Sequence, residues 1–332
     1  MDPVTQAVLG ASVGQSYFKK HIVWASFFGA LAGMAPDLDY IIRSKTDPLF
    51  TLEYHRQITH SLAFIPFGAL IVAVLLHFIF KKKSKLSFKS TYLFCFLGYA
   101  THGLLDACTN YGTHLLWPFS NAREAWNIVA VIDPLATMPF LILCLLGLKL
   151  RKRRYSAIGL SFFIIYIGFG KIQQMRAKNY IEKIAKSRSH TISKMIVKPT
   201  AFNNILWRSV YKSGEEFFVD ALRVSWSGDI TFYAGESVKA LDIESKKEIV
   251  SNKQFHDLKR FNFFSDEFLF EWKEGEIGDL RYSLVPNEIK PIWSIRFNLQ
   301  DPLSHVDYWT VRELDQDRKT KVMNMIKGKN LN

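Results

Sequence analysis

Hydrophobic positions in this chain are bunched rather than spread. Residues 1–170 carry long apolar runs separated by short basic clusters, whereas 175–332 mixes polar residues with Trp, Tyr and Phe at intervals. The pattern predicts a division near residue 172 into a membrane half and a water-facing half. The clearest run, 62–80, has nineteen residues and no acid or base except His77. At about 1.5 Å per residue it can cross a hydrocarbon core of about 30 Å. Segments 91–107 and 132–148 are similar in length but include His102, Asp106 and Asp133, and 155–170 is a shorter fourth candidate. The run 22–42 is interrupted by "PDLD". Segment 4–18, small-residued and weakly amphipathic, is expected to dip into the membrane or lie in its surface. Asp2 stands where a signal peptide would carry a basic n-region, which speaks against a cleaved leader.

Beyond the last run, "KIQQMRAKNYIEKIAKSR" has Ile172, Met175, Tyr180, Ile181 and Ile184 at roughly helical spacing. After Pro199, "NILWRSVYK", "EEFFVDALRVSW" and "PIWSIRFNLQ" are rich in β-branched and aromatic residues between turn formers, and read as strands. "VSWSGDITFY" and "FNFFSDEFLFEW" read as further core strands. The expected fold is a membrane α-helical bundle of about four to six membrane segments over 1–171, a basic helical stalk over 172–198, and a small mostly-β domain over 199–332.

Charge changes this picture only in orientation. The formal net charge is +13, but Lys81, Lys82, Lys83, Lys85 and Lys89, then Lys149 and Arg151 to Arg154, sit in two short loops beside spans. The positive-inside rule places such loops in the cytoplasm. A weaker pair, Lys19 and Lys20, can share that side. The C-terminal domain then falls outside, and nucleic-acid binding is not the expected use of the charge. The three cysteines, Cys95, Cys108 and Cys144, are scattered and imply no disulfide framework.

The polar residues of the apolar half are more informative. Asp37 and Asp39 close the run that starts at Ile22, His55 and His60 open the one at Leu62, His102 and Asp106 end the third, and Asp133 begins the fourth. All fall toward the non-cytoplasmic face. In "THGLLD" the i, i+4 spacing puts His102 and Asp106 on one helical face, within reach of one ion. Pro36 disfavours a helical Ala35, so Asp37 and Asp39 are expected in an extended or turn segment. His55 and His60 do not align on one helix, which places His55 in a loop and His60 at a helix start capped by Thr59 or Ser61. Asp133 and Pro134 read as N-cap and first helical residue. Each feature also has a structural reading: a helix-to-helix hydrogen bond for His102 and Asp106, a capped turn for "PDLD", a cap for Asp133. Together they make an N/O donor set of the kind that binds zinc, manganese or iron. No G-x-S-x-G elbow is present, so a serine nucleophile has no support.

"MDPVTQAVLGASVGQ", "GALAGMAPDLDYI", "YHRQITHSL", "THGLLDACTNYGTHLLWPFS" and "VIDPLATMPFLI", followed by "KPTAFNNILWRSV", resemble the YdjM-like membrane-bound metal-dependent hydrolases, the LexA-binding, inner-membrane-associated group. The likeness is close over 1–148 and looser beyond. It implies a multi-pass inner-membrane protein with a divalent-metal site. The motif positions are Asp37, Asp39, His55, Arg56, His60, His102, Asp106 and Asp133, with no departure at any of them.

If the protein is an enzyme, His55, His60, His102 and Asp106 are expected to hold one ion, with Asp37 and Asp39 holding a second or orienting the first set. A spare carboxylate, from Asp37, Asp39 or Asp133, would accept a proton, and the planar fork of Arg56 suits a phosphate or carboxylate. The expected substrate is a lipid-linked phosphoester or ester, and the expected partners are membrane lipids. The rival class is a non-catalytic membrane scaffold or transport component whose His and Asp residues bind a structural ion or relay protons.

Overall fold

Small residues decide how the first helices pack. Helix α1 (Pro3–Tyr17) starts at Asp2, whose carboxylate accepts from Thr5 N, with Pro3 in its first turn. It lies against α2 (Ile22–Met34) so closely that a Cβ at Gly10 would stand 2.2 Å from the Gly29 carbonyl oxygen. Gly98 of α5 meets that same carbonyl: its Cβ would stand 2.3 Å away. Three backbones thus cross at glycines, as in membrane proteins where helices associate through small residues.

The computed structural model describes residues 1–18, 20–313 and 315–330; Lys19 of the weaker basic pair and the last two residues lie outside them. The chain divides into two units. The first comprises Met1–Ile42, Tyr54–Ile172 and Ala201–Asn204. After α2 the chain tightens into a 3-10 helix, Ala35–Ile41. The short helix α3 (Phe50–Tyr54), all but its last residue in the second unit, is followed in the first by a 3-10 turn, Ile58–His60, and then by α4 (Ile65–Ser84). Helix α5 (Phe88–Ala107) returns alongside, packing on α1, α2 and α4. Helix α6 (Pro134–Leu150) opens at the Asp133 cap. It is followed by α7 (Arg153–Ser187).

Among the described residues, two helical stretches are long and apolar enough to cross a membrane, Leu62–Ser84 and Arg153–Ser187, and Pro134–Leu150 is a shorter apolar helix. This criterion supports two of the expected four to six segments. Helix α5 carries Lys89, Thr91, Thr101, His102 and Asp106. Its Thr91, His102 and Asp106 are buried among protein neighbours rather than turned outward. On α4, by contrast, Phe67, Leu70, Ile71, Val74, Leu75, Phe78 and Ile79 are exposed. A continuous apolar face of this extent is at odds with water and suits lipid.

The second unit comprises Arg43–Glu53, Gln173–Thr200 and Ile205–Asn332. It is mostly β. One antiparallel sheet has the order β1 (Lys194–Pro199), β2 (Leu206–Ser213), β3 (Glu216–Val224), β4 (Ile230–Tyr233), with β5 (Ser237–Lys239) also on β3. The helix opening this half ends at Ser187, so the last part of the segment read as a stalk is already strand β1. Alternation sorts the faces of the sheet. Trp207, Tyr211 and Leu222 meet Ala177, Ile181 and Ala185 of α7, whereas Ile196, Val210 and Val219 meet Phe268, Phe270 and Leu280.

Helix α8 (Asn252–Phe264) precedes a second antiparallel sheet, β6 (Leu269–Lys273), β7 (Glu276–Asp279), β8 (Trp293–Arg296) and β9 (Asp307–Thr310). Helix α9 (Gln316–Lys327) closes the described chain. "FNFFSDEFLFEW" reads as strand in the sequence, but its "FNFF" is the end of α8. Phe255, Leu258 and Phe261, spaced by three, line its buried face and supply the helical period that the aromatic content masks.

Candidate metal centre

Four donors converge in the first unit. One ligand atom each from Asp37, His60, His102 and Asp106 lies within 4.8 Å of the others. Asp37 comes from the 3-10 helix after α2, His60 from the turn before α4, and His102 and Asp106 from one face of α5. His60, His102 and Asp106 are buried, and Asp37 is partly so. His60 Nε2 and His102 Nε2 are 3.0 Å apart. Asp37 Oδ1 is 3.4 Å from each of them. Asp106 Oδ2 is 3.5 Å from the first and 3.7 Å from the second.

The second ring nitrogens fix which atoms carry lone pairs. His102 Nδ1 lies 2.6 Å from the Gly33 carbonyl oxygen, which can only accept, so Nδ1 carries a proton and Nε2 of the neutral ring does not. His60 Nδ1 lies 2.9 Å from Thr59 Oγ1, whose own proton goes to Asp39 Oδ2 at 2.5 Å. Nδ1 of His60 therefore donates as well, and its Nε2 is also a lone-pair atom. Two imidazole lone pairs and two carboxylate oxygens then face one another out of water, an arrangement that repels itself unless positive charge stands among them. Asp106 Oδ2 is buried and accepts no hydrogen bond.

The titration of Asp37 and His60 shows the same demand for positive charge, which a proton on His60 Nε2 can also answer. Burial disfavours charge on Asp37, but hydrogen bonds with His102 and His60 outweigh it and hold the carboxyl well below its ordinary range. Burial likewise disfavours charge on His60, yet its bonds to Asp37 and Asp39 raise its pKa. The donor set fits a divalent ion with mixed N/O ligands. Its other imidazole nitrogens are tied to a carbonyl, a hydroxyl and a carboxylate, as metal-ligating histidines usually are.

A second group adjoins the first. Asp39 Oδ1 lies 2.6 Å from His55 Nδ1, and Asp39, His55 and His60 form another set with converging ligand atoms. His60 therefore belongs to both, presenting Nε2 to one set and Nδ1 to the other. Asp37 and Asp39, two residues apart on a tight helix, point to these two neighbouring groups rather than to one place. The loop is locally strained: Arg56 has φ 67°, a left-handed conformation that costs a residue with a Cβ about 1–2 kcal/mol. Hydrogen bonds to Asp39 Oδ2 from Arg56 N and to the Arg56 carbonyl from His114 N hold it there.

Arg56 is buried with its Nε 3.2 Å from Asp106 Oδ2, its Nη1 donating to Thr109 Oγ1 and its guanidinium over Tyr111. Asp133 is not among the converging groups. One oxygen caps α6 through Leu135 N and Ala136 N, and the other accepts from Tyr166 at 2.8 Å. Replacing Asp133 with Ala is expected to lower thermal stability by about 1–2 kcal/mol through loss of the cap. Metal content of the purified variant should stay at the wild-type level.

Sequence reasoning missed Gln6. Its Nε2 donates to Asp106 Oδ1 at 3.0 Å, and the Met1 α-amino group pairs with the same oxygen. Helix α1 is thus part of the site. Its polar residues were hidden in a run of small side chains, though a buried Gln on a helix of this kind is itself a signal of a partner.

A helical half with exposed apolar faces, and a buried His/Asp cluster between its helices, define a membrane-associated protein with a candidate metal centre. The sequence profile of the YdjM inner membrane protein family matches residues 1–177, and the chain belongs to that family. No curated protein and no solved structure matches it.

Proposed function

We propose that the protein is a multi-pass, membrane-embedded metal-dependent hydrolase acting at the outer face of the inner membrane on a lipid-linked phosphoester or ester, with its C-terminal domain on that side. The observation that carries this reading is the pair of imidazole Nε2 atoms 3.0 Å apart, faced by Asp37 and by Asp106 Oδ2, which accepts no hydrogen bond and is ion-paired with Arg56. Asp37, His60, His102 and Asp106 would hold the ion, and zinc suits this set, with manganese or iron as alternatives. A bound divalent ion would polarise the scissile group and make coordinated water a stronger acid.

The chain's own residues supply the rest. Arg56 fixes Asp106 and neutralises part of its charge, and the remaining in-plane N–H donors of its guanidinium suit a substrate oxyanion. Asp39 accepts from Thr59, which in turn orients His60, while Asp39 and His55 form a dyad able to accept a proton or to hold a second ion. The lipid preference follows from place: the turn carrying His60 runs directly into the apolar stretch Leu62–Ser84.

The test is turnover of a lipid-phosphate and phospholipid panel by purified protein in detergent. Hydrolysis that disappears on chelation and returns with Zn2+ or Mn2+ is expected; a protein that hydrolyses nothing in any metal form would refute the assignment. A second reading rests on the series His55, Asp39, Thr59, His60 and His102, spaced at 2.6, 2.5, 2.9 and 3.0 Å, whose last link conducts only when one of the two Nε2 atoms carries a proton. Such a series can relay protons in a transport-related or scaffold protein. Proton flux through vesicles carrying the metal-free protein would favour it.

A further inference from the structure

The stretch Arg43–Glu53 folds with the second unit, although the chain on either side of it belongs to the first. Asp37 and Asp39 precede it, and His55, Arg56 and His60 follow it. Two anchors hold it. Leu49 is fully buried in a cluster with Leu258, Phe261, Ile277 and Ile295. Arg260 of α8 takes three carboxylates at once. Its Nη1 and Nη2 donate to Asp47 at 3.1 and 2.8 Å, its Nε to Glu53 at 2.8 Å, and Nη1 also to the buried Asp257 at 3.0 Å. Asp257 is in turn fixed by His305 Nδ1 and Val306 N. The planar guanidinium fork makes this a geometric lock as well as a neutralisation.

We propose that Arg260 is a positioning residue for the metal centre: by pinning Arg43–Glu53 it holds in register the two chain segments that bring in Asp37 and Asp39 on one side and His55 and His60 on the other. Arg260 pairs with none of the candidate ligands themselves. Ligands on segments joined by a loose loop must be ordered when the ion binds, at a cost in conformational entropy. A loop already fixed at Asp47, Leu49 and Glu53 has met that cost in folding, which is preorganisation. The inference rests on the metal-binding reading above.

The experiment is a Co2+ titration of full-length protein in detergent against a competing chelator. Arg260→Ala and Leu49→Ala should each weaken Co2+ binding by on the order of tenfold, the range of changes outside the ligand set. Arg260→Lys, a milder change that keeps one charge but not the three-way fork, should weaken it less. Tryptic cleavage after Lys45 should be faster in Arg260→Ala, reporting the release of the loop. Arg188→Ala is the control: it breaks the ion pair with Asp220 elsewhere in the same unit and should leave Co2+ affinity unchanged. Wild-type affinity in the Arg260 and Leu49 variants would overturn the inference alone, as would an equal loss in Arg188→Ala. A wild-type protein that takes up no Co2+ would overturn the metal reading and this inference with it.

Discussion

Replacing His102 with Ala should leave the purified protein without bound divalent metal under conditions where wild type retains it. His102 Nδ1 is committed to the Gly33 carbonyl, and its Nε2 is one of four converging donors. Removing it takes away a ligand and opens the site to water, so affinity should fall by more than about 100-fold, beyond the roughly 10–100-fold of changes outside the ligand set. Asp106→Ala should behave alike and in addition leave buried Arg56 without its carboxylate. Asp39→Ala should cost less, because Asp39 reaches His60 on the Nδ1 side and orients the ring. Metal analysis of the three variants, each judged folded by its thermal transition, gives the ranking. An Asp39 variant as depleted as the His102 variant would mean that both carboxylates of "PDLD" hold the same ion.

The second large effect is expected at Gly29. A Cβ there would lie 2.4 Å from the Gly10 carbonyl oxygen, and the Gly29 carbonyl is itself touched by Gly10 and Gly98. These obstacles are backbone atoms of α1, so no rotamer change relieves the clash, and α1 and α2 must move apart. Gly29→Ala should cost about 3 kcal/mol or more, at the upper end for overpacked sites. It should also impair metal binding, because any shift of α2 disturbs the Gly33 carbonyl that holds His102 Nδ1. Gly168→Ala serves as the contrast. A Cβ at Gly168 meets nothing within 4 Å, and the position is inside α7, where alanine favours the helix by about 1 kcal/mol. Thermal unfolding in one detergent should move in opposite directions for the two variants.

Much of the centre was legible because spacing and chemistry agree there. The i, i+4 pair on α5 and the Ser61 cap, which accepts from Phe64 N, follow from local rules that the surroundings do not override. So does the Asp133 cap with Pro134 in the first turn. Strands β2, β3 and β8 declared themselves through β-branched and aromatic density. The division of labour between Asp37 and Asp39 was not legible, since a 3-10 turn and an extended segment aim neighbouring side chains differently and Pro36 permits both. Nor was the allegiance of Arg43–Glu53. Its one anchoring leucine and two carboxylates resemble any surface loop until Arg260, more than two hundred residues later, is seen to face them. The number of membrane segments is not legible, because apolar runs inside a bundle and runs facing lipid share a composition; α5 is 20 residues long yet is lined with buried polar groups.

The scatter of the four donors along the chain has a consequence for biosynthesis. A polypeptide emerges from the ribosome amino end first. Asp37 and His60 are therefore made well before His102 and Asp106, and a nascent chain lacking α5 exposes half a coordination sphere with nothing to complete it. On the proposed metal-binding reading, ion capture would await insertion of that later helix, which would make metallation a late step in maturation and a report that the N-terminal helices have assembled.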